Sequence, residues 1–364
     1  MHVVAAVLRD SAPDYVILWL AHSEELCEQA AEEFSRAWAP LGNRAVSLAR
    51  FYGPFEADLG NLTNAFVVAS LGKMYQRSGT DQSAVLRLKS RLRMIVFDEA
   101  HKATAASYKH IMDLLAPAYG QVGIVGLSAT PGRTWLDVGQ DQALADFFAR
   151  QKVTIRTPGY ANPIEFLQAE GYLAKPEYEV IRYDPKIPIS TQQLAELQKG
   201  FDLDQATLEA LARDGGRNAL VLDAIMGEAR HGRKMIVFAC SVEHSNLLAN
   251  VLTLKGYRCA SLSAKTPRVE RQHIVEDFRS DRPNSLQIIT NYGVLSTGFD
   301  APNAEVAVIA RPTQSVVLYS QMVGRVIRGP RSGGAPTCRV VTVVDQLPGF
   351  RDVSEGFSHW EDVW

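Results

Sequence analysis

Short runs of aliphatic and β-branched residues alternate along this chain with stretches whose apolar positions recur every three or four residues. Continuous apolar runs of that length suit strands buried on both faces, and the longer periodic stretches suit the helices that cover them. The pattern therefore predicts parallel sheets in an α/β fold. In the first half, strands are predicted at residues 15–20, 65–70, 93–97 and 122–127. Ser23 is placed to cap a helix running to about residue 38, with Leu26, Ala30 and Phe34 on one face. Further helices are predicted near 82–92, 105–115 and 143–149, followed by a strand at 152–156.

Pro158, Gly159, Pro163 and Pro176 then interrupt the alternation, and the sequence to residue 214 is polar, rich in Gln and partly helical. An interdomain linker is predicted within 158–186. The alternation restarts with strands at 234–239, 257–262, 286–290, 306–310 and 339–344, and helices at 242–254, 268–278 and 316–326. The expected organisation is a first α/β domain over 1–157, a linker and helical segment over 158–214, a second α/β domain over 215–346, and a tail over 347–364.

Composition narrows the functional classes. A chain of 364 residues with 46% hydrophobic and 21% charged residues suits two or three globular domains. Its net charge of −2 gives no global basic footprint, so any nucleic-acid contact must come from a local groove. The four cysteines, Cys27, Cys240, Cys259 and Cys338, share no metal-binding spacing and suit a reducing compartment. No run approaches the roughly 20 apolar residues of a membrane span, and the apolar start breaks at Arg9-Asp10 without a basic leader. The expected location is cytoplasmic, with no membrane partner.

Candidate chemistry sits at predicted strand ends, where open α/β sheets bind ligands. Asp98-Glu99 follows the apolar run Met94-Ile95-Val96-Phe97. Two adjacent carboxylates there can divide a task, one holding Mg²⁺ through water and the other orienting or deprotonating an attacking water. They can equally cap a following helix. Arg325 and Arg328 are three apart and share a face if helical. They could neutralise charge on a transferring phosphoryl group, or be an ordinary solvated surface. Gly298 permits unusual backbone geometry and Asp300 can accept from a ribose hydroxyl or an arginine, yet Gly-x-Asp is a common turn. Ser128 and Thr130 close a strand before Pro131-Gly132 and serve as turn formers just as well.

In order and placement these residues together resemble the superfamily 2 helicases and translocases. Asp98-Glu99-Ala100-His101 is similar to motif II, Ser128-Ala129-Thr130 to motif III, and Ser70-Leu71 stands at motif Ib. The segment from Ala21 to Leu26, with Gln29, stands at motif Ia. Residues 235–241, ending in Ser241, resemble motif IV, residues 290–302 motif V, and the Q-x-x-G-R-x-x-R run from Gln321 to Arg328 motif VI. The style of motifs V and VI is closest to the branch of type III restriction subunits and Rad25-type repair and transcription helicases, which acts mainly on DNA.

The resemblance implies two RecA-like parallel-sheet domains in tandem that use ATP and Mg²⁺ on nucleic acid, DNA rather than RNA. It implies Asp98 for Mg²⁺ and Glu99 for the attacking water, with Gln321, Arg325 and Arg328 joining them in catalysis. Gly298 and Asp300 would meet the nucleotide, and His101, Ser128 and Thr130 would couple its state to domain movement. Ser70, Ser241 and Thr290 would contact the strand backbone. Partner subunits in a larger complex are compatible with this picture.

Two departures stand out. Motif Ia has His22 and Glu24 where a proline and an arginine-like residue are usual. Motif I is missing: nothing before Asp98 reads G-x-x-x-x-G-K-[ST], the loop whose amides and lysine cradle phosphates. Residues 1–8 resemble the helix that follows such a loop. The first domain is therefore expected to lack its phosphate-loop strand, leaving neighbouring strands with unpaired backbone groups. The expected origin is a truncated or mis-started reading of a complete helicase, deficient in ATP hydrolysis by itself. A catalytically inactive nucleic-acid clamp and a DEAH-type RNA helicase are the competing readings.

Overall fold

The computed structural model describes residues 1–100, 106–115, 122–128, 138–153, 156–198, 202–294, 301, 303–350 and 352–355. The chain forms two compact units, one built from Met1–Arg133 and Asp137–Val153 and the other from Thr154–Trp364 with a short preceding segment. Among the described residues no helix is long and apolar enough to cross a membrane.

In the first unit, α1 (His2–Asp10) leads into β1 (Val16–Ala21), which is buried along its whole length. Next come α2 (Glu24–Leu41), β2 (Ser47–Phe51), β3 (Ala65–Ser70), α3 (Leu71–Thr80) and α4 (Gln82–Lys89). The unit continues with β4 (Leu92–Asp98), α5 (Ala106–Leu115), β5 (Gly123–Leu127) and α6 (Val138–Phe147). All five strands run parallel in the order β2-β3-β1-β4-β5, so their carboxyl ends share one edge. Alternate side chains feed two apolar layers: Leu18, Leu20, Phe51 and Phe97 on one face, Ile17, Trp19, Phe66 and Val68 on the other. As the sequence predicts, the Ser23 hydroxyl accepts from the Leu26 N–H at 3.3 Å and starts α2.

The two sheet edges differ. β2 carries Arg50 and only alternate residues are buried, so its short pattern escaped the sequence reading. β5 reads Gly-Ile-Val-Gly-Leu without a charge, yet Ile124, Val125 and Leu127 are 37%, 38% and 43% exposed. Among the described residues β5 pairs only with β4. Uncharged apolar edges are what folded sheets usually avoid. Gly126 is required where it stands: a Cβ there would lie 2.5 Å from the Phe148 ring and 2.8 Å from the Ala100 Cβ.

The second unit contains α7 (Pro163–Ala169), β6 (Lys175–Tyr183), α8 (Thr191–Gln198), α9 (Gln205–Arg213) and α10 (Gly215–Ala229). It continues through β7 (Met235–Phe238), α11 (Val242–Leu254), β8 (Cys259–Leu262), α12 (Arg268–Arg279) and β9 (Ile288–Asn291). β10 (Val306–Ile309), α13 (Val316–Val323) and β11 (Thr337–Asp345) follow. Its six strands are also all parallel, in the order β6-β11-β10-β7-β9-β8.

The segment expected to be a linker is part of this sheet. β6 pairs with β11 in register from Lys175↔Thr337 to Tyr183↔Asp345. Its charges conceal it: Arg339 on β11 bonds Glu177 at 3.2 Å and Glu179 at 2.5 Å, an arrangement that protects an edge strand while breaking the apolar pattern. The described residues at 152–156 form no strand. Leu347 and Phe350, at the start of the expected tail, are buried with Leu197, Leu203, Leu208 and Leu211 from α8, α9 and the segment between them. The tail beyond 355 lies outside the described residues.

Candidate nucleotide and nucleic-acid site

Parallel pairing carries the predicted residues of the first unit to one sheet edge. Ser70 ends β3, Asp98 ends β4, Glu99 follows it, and Ser128 follows β5. Asp98 accepts the Glu99 N–H through Oδ1 at 3.0 Å, and burial raises its pKa from the ordinary carboxylate value. Glu99 has φ +55°, left-handed backbone that non-glycine residues seldom adopt and that gathers at functional sites. The strained turn swings Glu99 away from the strand direction while Asp98 stays at the strand end.

Asp98 suits a hydrated divalent cation. Among the described residues no cluster of three or more His, Cys, Asp and Glu side chains could hold a metal, so such an ion would rely on water and phosphate oxygens. The residues present thus fit the metal anchor of an Mg²⁺–nucleotide but not a cradle for its phosphates, for which the chain has no loop of the required sequence.

Beside this edge lies a basic cluster that the sequence reading missed. Lys73 and Arg77 on α3 both bond Glu56 at 2.8 Å and lie over the Phe51 ring at 5.1 and 5.0 Å. Their i, i+4 spacing is a visible signal, but nothing in the sequence discloses that Glu56 and the carbonyls of Gly53 and Phe55 engage them.

In the second unit, Ser241 follows β7 and its hydroxyl accepts the His244 N–H at 3.0 Å, capping α11. Thr290 is fully buried in β9, donating to the Ser245 carbonyl at 2.9 Å and accepting from the Ser245 hydroxyl at 3.0 Å. Both hydroxyls therefore face inward, and Ser70 is the half-buried member of the expected backbone-contacting trio.

The expectation that Arg325 and Arg328 share a helical face is corrected. Gln321 lies in the last turn of α13, which ends at Val323 with Gly324 as its C-cap. Arg325 follows in a turn, its N–H donating to the Met322 carbonyl at 3.2 Å. Arg328 is extended and bridges antiparallel to Leu173, fixed by Ala174 N–H to Ile327 O at 2.9 Å and Gly329 N–H to Tyr172 O at 3.0 Å. Gly329 permits that approach, because a Cβ there would overlap the Gly171 carbonyl. Burial, followed by the nearby charge of Arg279, lowers the Arg328 pKa, a setting that favours an anionic partner. His101, Thr130, Gly298 and Asp300 lie outside the described residues.

A buried network at the carboxyl ends of the second unit's strands was also missed. Arg217, on α10, has no exposed side-chain surface and grips Asp345 with two bonds, Nε to Oδ1 at 2.7 Å and Nη2 to Oδ2 at 2.8 Å. Its Nη2 also donates to the Ala310 carbonyl at 2.6 Å, and the Cys240 thiol donates to the same carbonyl at 3.1 Å. One guanidinium thus ties the carboxyl ends of β10 and β11 to α10. A carboxylate closing a long apolar strand, at Asp345 as at Asp98, was the available signal.

Comparison with known proteins follows the same division. The family model described as "Type III restriction enzyme, res subunit" matches residues 1–133, and "Helicase conserved C-terminal domain" matches 217–330. A 51.5 kDa protein of a Lactococcus phage is 27% identical over 86% of this chain and 56% of its own length. The putative ATP-dependent helicase IRC3 of Saccharomyces cerevisiae is 22% identical over 85% of this chain and 41% of its own. The chain thus spans about half the length of the curated relatives it matches. Among solved structures, S. cerevisiae Dbp5 bound to RNA and ADP BeF3 has TM-score 0.59 at 14% identity, covering 98% of this chain and 78% of that one. Helicase MrfA bound to DNA and AMPPNP has TM-score 0.61 at 14% identity, covering 92% and 42%. At that identity these two share the fold. The two matched family models, taken with the parallel-sheet architecture of both units, place the chain in the superfamily 2 helicases, in the type III restriction-like branch.

Proposed function

We propose that these 364 residues are the two α/β units of an ATP-dependent DNA helicase or translocase, and that by themselves they bind nucleic acid without turning over ATP. The observation that carries the reading is Asp98-Glu99, a half-buried carboxylate closing β4 followed by a glutamate in left-handed backbone. In this account Asp98 anchors Mg²⁺ and Glu99 takes the proton of the attacking water. Gln321, Arg325 and Arg328 act on the transferring phosphoryl group, and Gly298 and Asp300 meet the nucleotide. His101, Ser128 and Thr130 couple its state to movement. Ser70 meets the strand with its side chain. Ser241 and Thr290, whose hydroxyls turn inward, would reach the strand through the backbone they hold in place.

The phosphates need a loop that this sequence lacks. Among the described residues β5 pairs only with β4, and its other, apolar edge is where a further parallel strand carrying that loop would pair, from another segment or from a partner subunit. The absence of a loop of the required sequence favours the second reading, an inactive clamp that needs no such strand. The two predict equal binding and differ only in turnover once the loop is supplied.

Binding is tested by fluorescence anisotropy with a labelled single strand across roughly 50 to 200 mM salt. The expected result is measurable DNA affinity whose logarithm falls linearly with the logarithm of salt, reflecting backbone contacts. Tighter binding of the matching RNA strand would move the substrate from DNA to RNA, and absence of binding to either would overturn the proposal.

A further inference from the structure

β10, β7 and β9 lie side by side in the second sheet, β7 in the middle, with their carboxyl ends at one edge. Arg311 stands two residues past β10 and Tyr292 directly past β9, on either side of the end of β7. The Arg311 guanidinium lies over the Tyr292 ring, 5.4 Å from its centroid, so the pair closes over that end. The Tyr292 hydroxyl donates to Gln205 Oε1 at 3.0 Å, which ties the ring to α9. Among the described residues Arg311 makes no ion pair and no hydrogen bond. Its Nε is buried, whereas its two Nη groups are not, and the residue as a whole is half-buried. Carboxylates that touch the adjoining chain are committed elsewhere. Asp202 accepts the Thr313 hydroxyl at 2.7 Å and the Gln314 N–H at 3.1 Å, and Asp345 is held by Arg217.

Arg217 and Arg339 show how this unit answers an arginine with its own groups: each meets carboxylate oxygens within 3.2 Å. Arg311 is instead held flat on a ring, partly dehydrated and without a counter-charge, the setting of a receptor for an oxyanion. It stands at the edge where Ser241 and Thr290 were expected to meet a strand, and both of those hydroxyls turn inward. Resting on the nucleic-acid reading above, we propose that Arg311, seated on Tyr292, binds a backbone phosphate of the bound strand. Its Nη groups donate to the phosphate oxygens, while the ring and the buried Nε hold the guanidinium plane in place. The contact reads charge rather than sequence, because no base edge takes part. Tyr292 is a positioning residue: it fixes the fork without touching the phosphate.

The test titrates the full chain with labelled single-stranded DNA by anisotropy between roughly 50 and 200 mM salt. Arg311→Gln should bind about tenfold more weakly at the low-salt end, the scale of one charge-assisted contact. Its slope of log affinity against log salt should be shallower by about 0.7, the value for one phosphate of a single strand. The loss should be equal on oligonucleotides of unlike sequence. Arg282→Gln removes the same charge from an exposed side chain in the segment that leads into β9, at the opposite edge of the sheet, and should leave the slope unchanged. Because Arg311 has no partner to lose, Arg311→Gln should melt no lower than wild type. An unchanged slope in Arg311→Gln, or an equal change in Arg282→Gln, overturns the site while leaving nucleic-acid binding intact. A melting temperature several degrees lower, or failure to fold, makes Arg311 a structural residue and overturns it too. If millimolar ATP with Mg²⁺ erases the difference between wild type and Arg311→Gln while DNA stays bound, the anion is a nucleotide phosphate and the strand assignment fails. No DNA binding by wild type overturns both this inference and the reading on which it rests.

Discussion

Asp345→Ala is expected to destabilise the second unit by about 3–5 kcal/mol, because it leaves the fully buried Arg217 guanidinium without its counter-charge. The loss comes less from the missing attraction than from an ion that can neither reach water nor shed its proton. Asp345 supplies both oxygens of a two-bond grip, and among the described residues the Arg217 side chain otherwise meets the Ala310 carbonyl and the Cys240 sulfur, at 2.6 and 3.7 Å. A domain of ordinary stability, about 5–15 kcal/mol, would be left near its folding threshold. Denaturant titration should show a lower midpoint with an unchanged slope for the second transition. Replacing both partners, as Arg217→Met with Asp345→Leu, should recover most of the loss, since no unpaired charge remains. A cost below about 1 kcal/mol for Asp345→Ala would mean that the pair is hydrated, contrary to its complete burial.

Glu99→Gln should reduce ATP turnover by at least about a hundredfold in a form of the protein to which a phosphate-binding loop has been supplied, while nucleotide affinity stays within about threefold. The amide keeps the shape and the capacity to accept a hydrogen bond but cannot take a proton from water. The backbone argues in the same direction: at φ +55° a glycine or asparagine would be less strained than Glu99, so the carboxylate is held there against local preference. Turnover within about threefold of the unaltered protein would remove Glu99 from the reaction and leave the acid pair as a helix cap.

Much of the architecture was legible because hydrophobic runs bounded by caps mark themselves. β3 falls at 65–70 and α11 at 242–254 as predicted, and Ser23 caps α2 through its side chain. β2 and β6 were hidden by their edge positions, where burial on one side only leaves room for Arg50, Glu177 and Glu179. The end of α13 was misjudged because Gly324 and the Gly329-Pro330 pair outweigh the apolar periodicity that continues through Val326 and Ile327. For the site, an acid at a strand end was a readable signal at Asp98, and the same signal at Asp345 was not drawn upon. The His244 contact was beyond reach: which ring nitrogen meets the Cys240 amide is a tertiary fact with no trace in spacing. The inward turn of the Ser241 and Thr290 hydroxyls was hidden for the same reason.

The central claim is that this sequence carries the water-activating and arginine groups of a superfamily 2 motor without a cradle for phosphates. Steady-state ATP hydrolysis by the purified 364-residue chain, with and without saturating single-stranded DNA, tests it most directly. The account predicts hydrolysis indistinguishable from background in both conditions, in protein shown by anisotropy to bind the same DNA. DNA-stimulated hydrolysis by this chain alone would contradict it, because some other segment would then have to hold the β and γ phosphates.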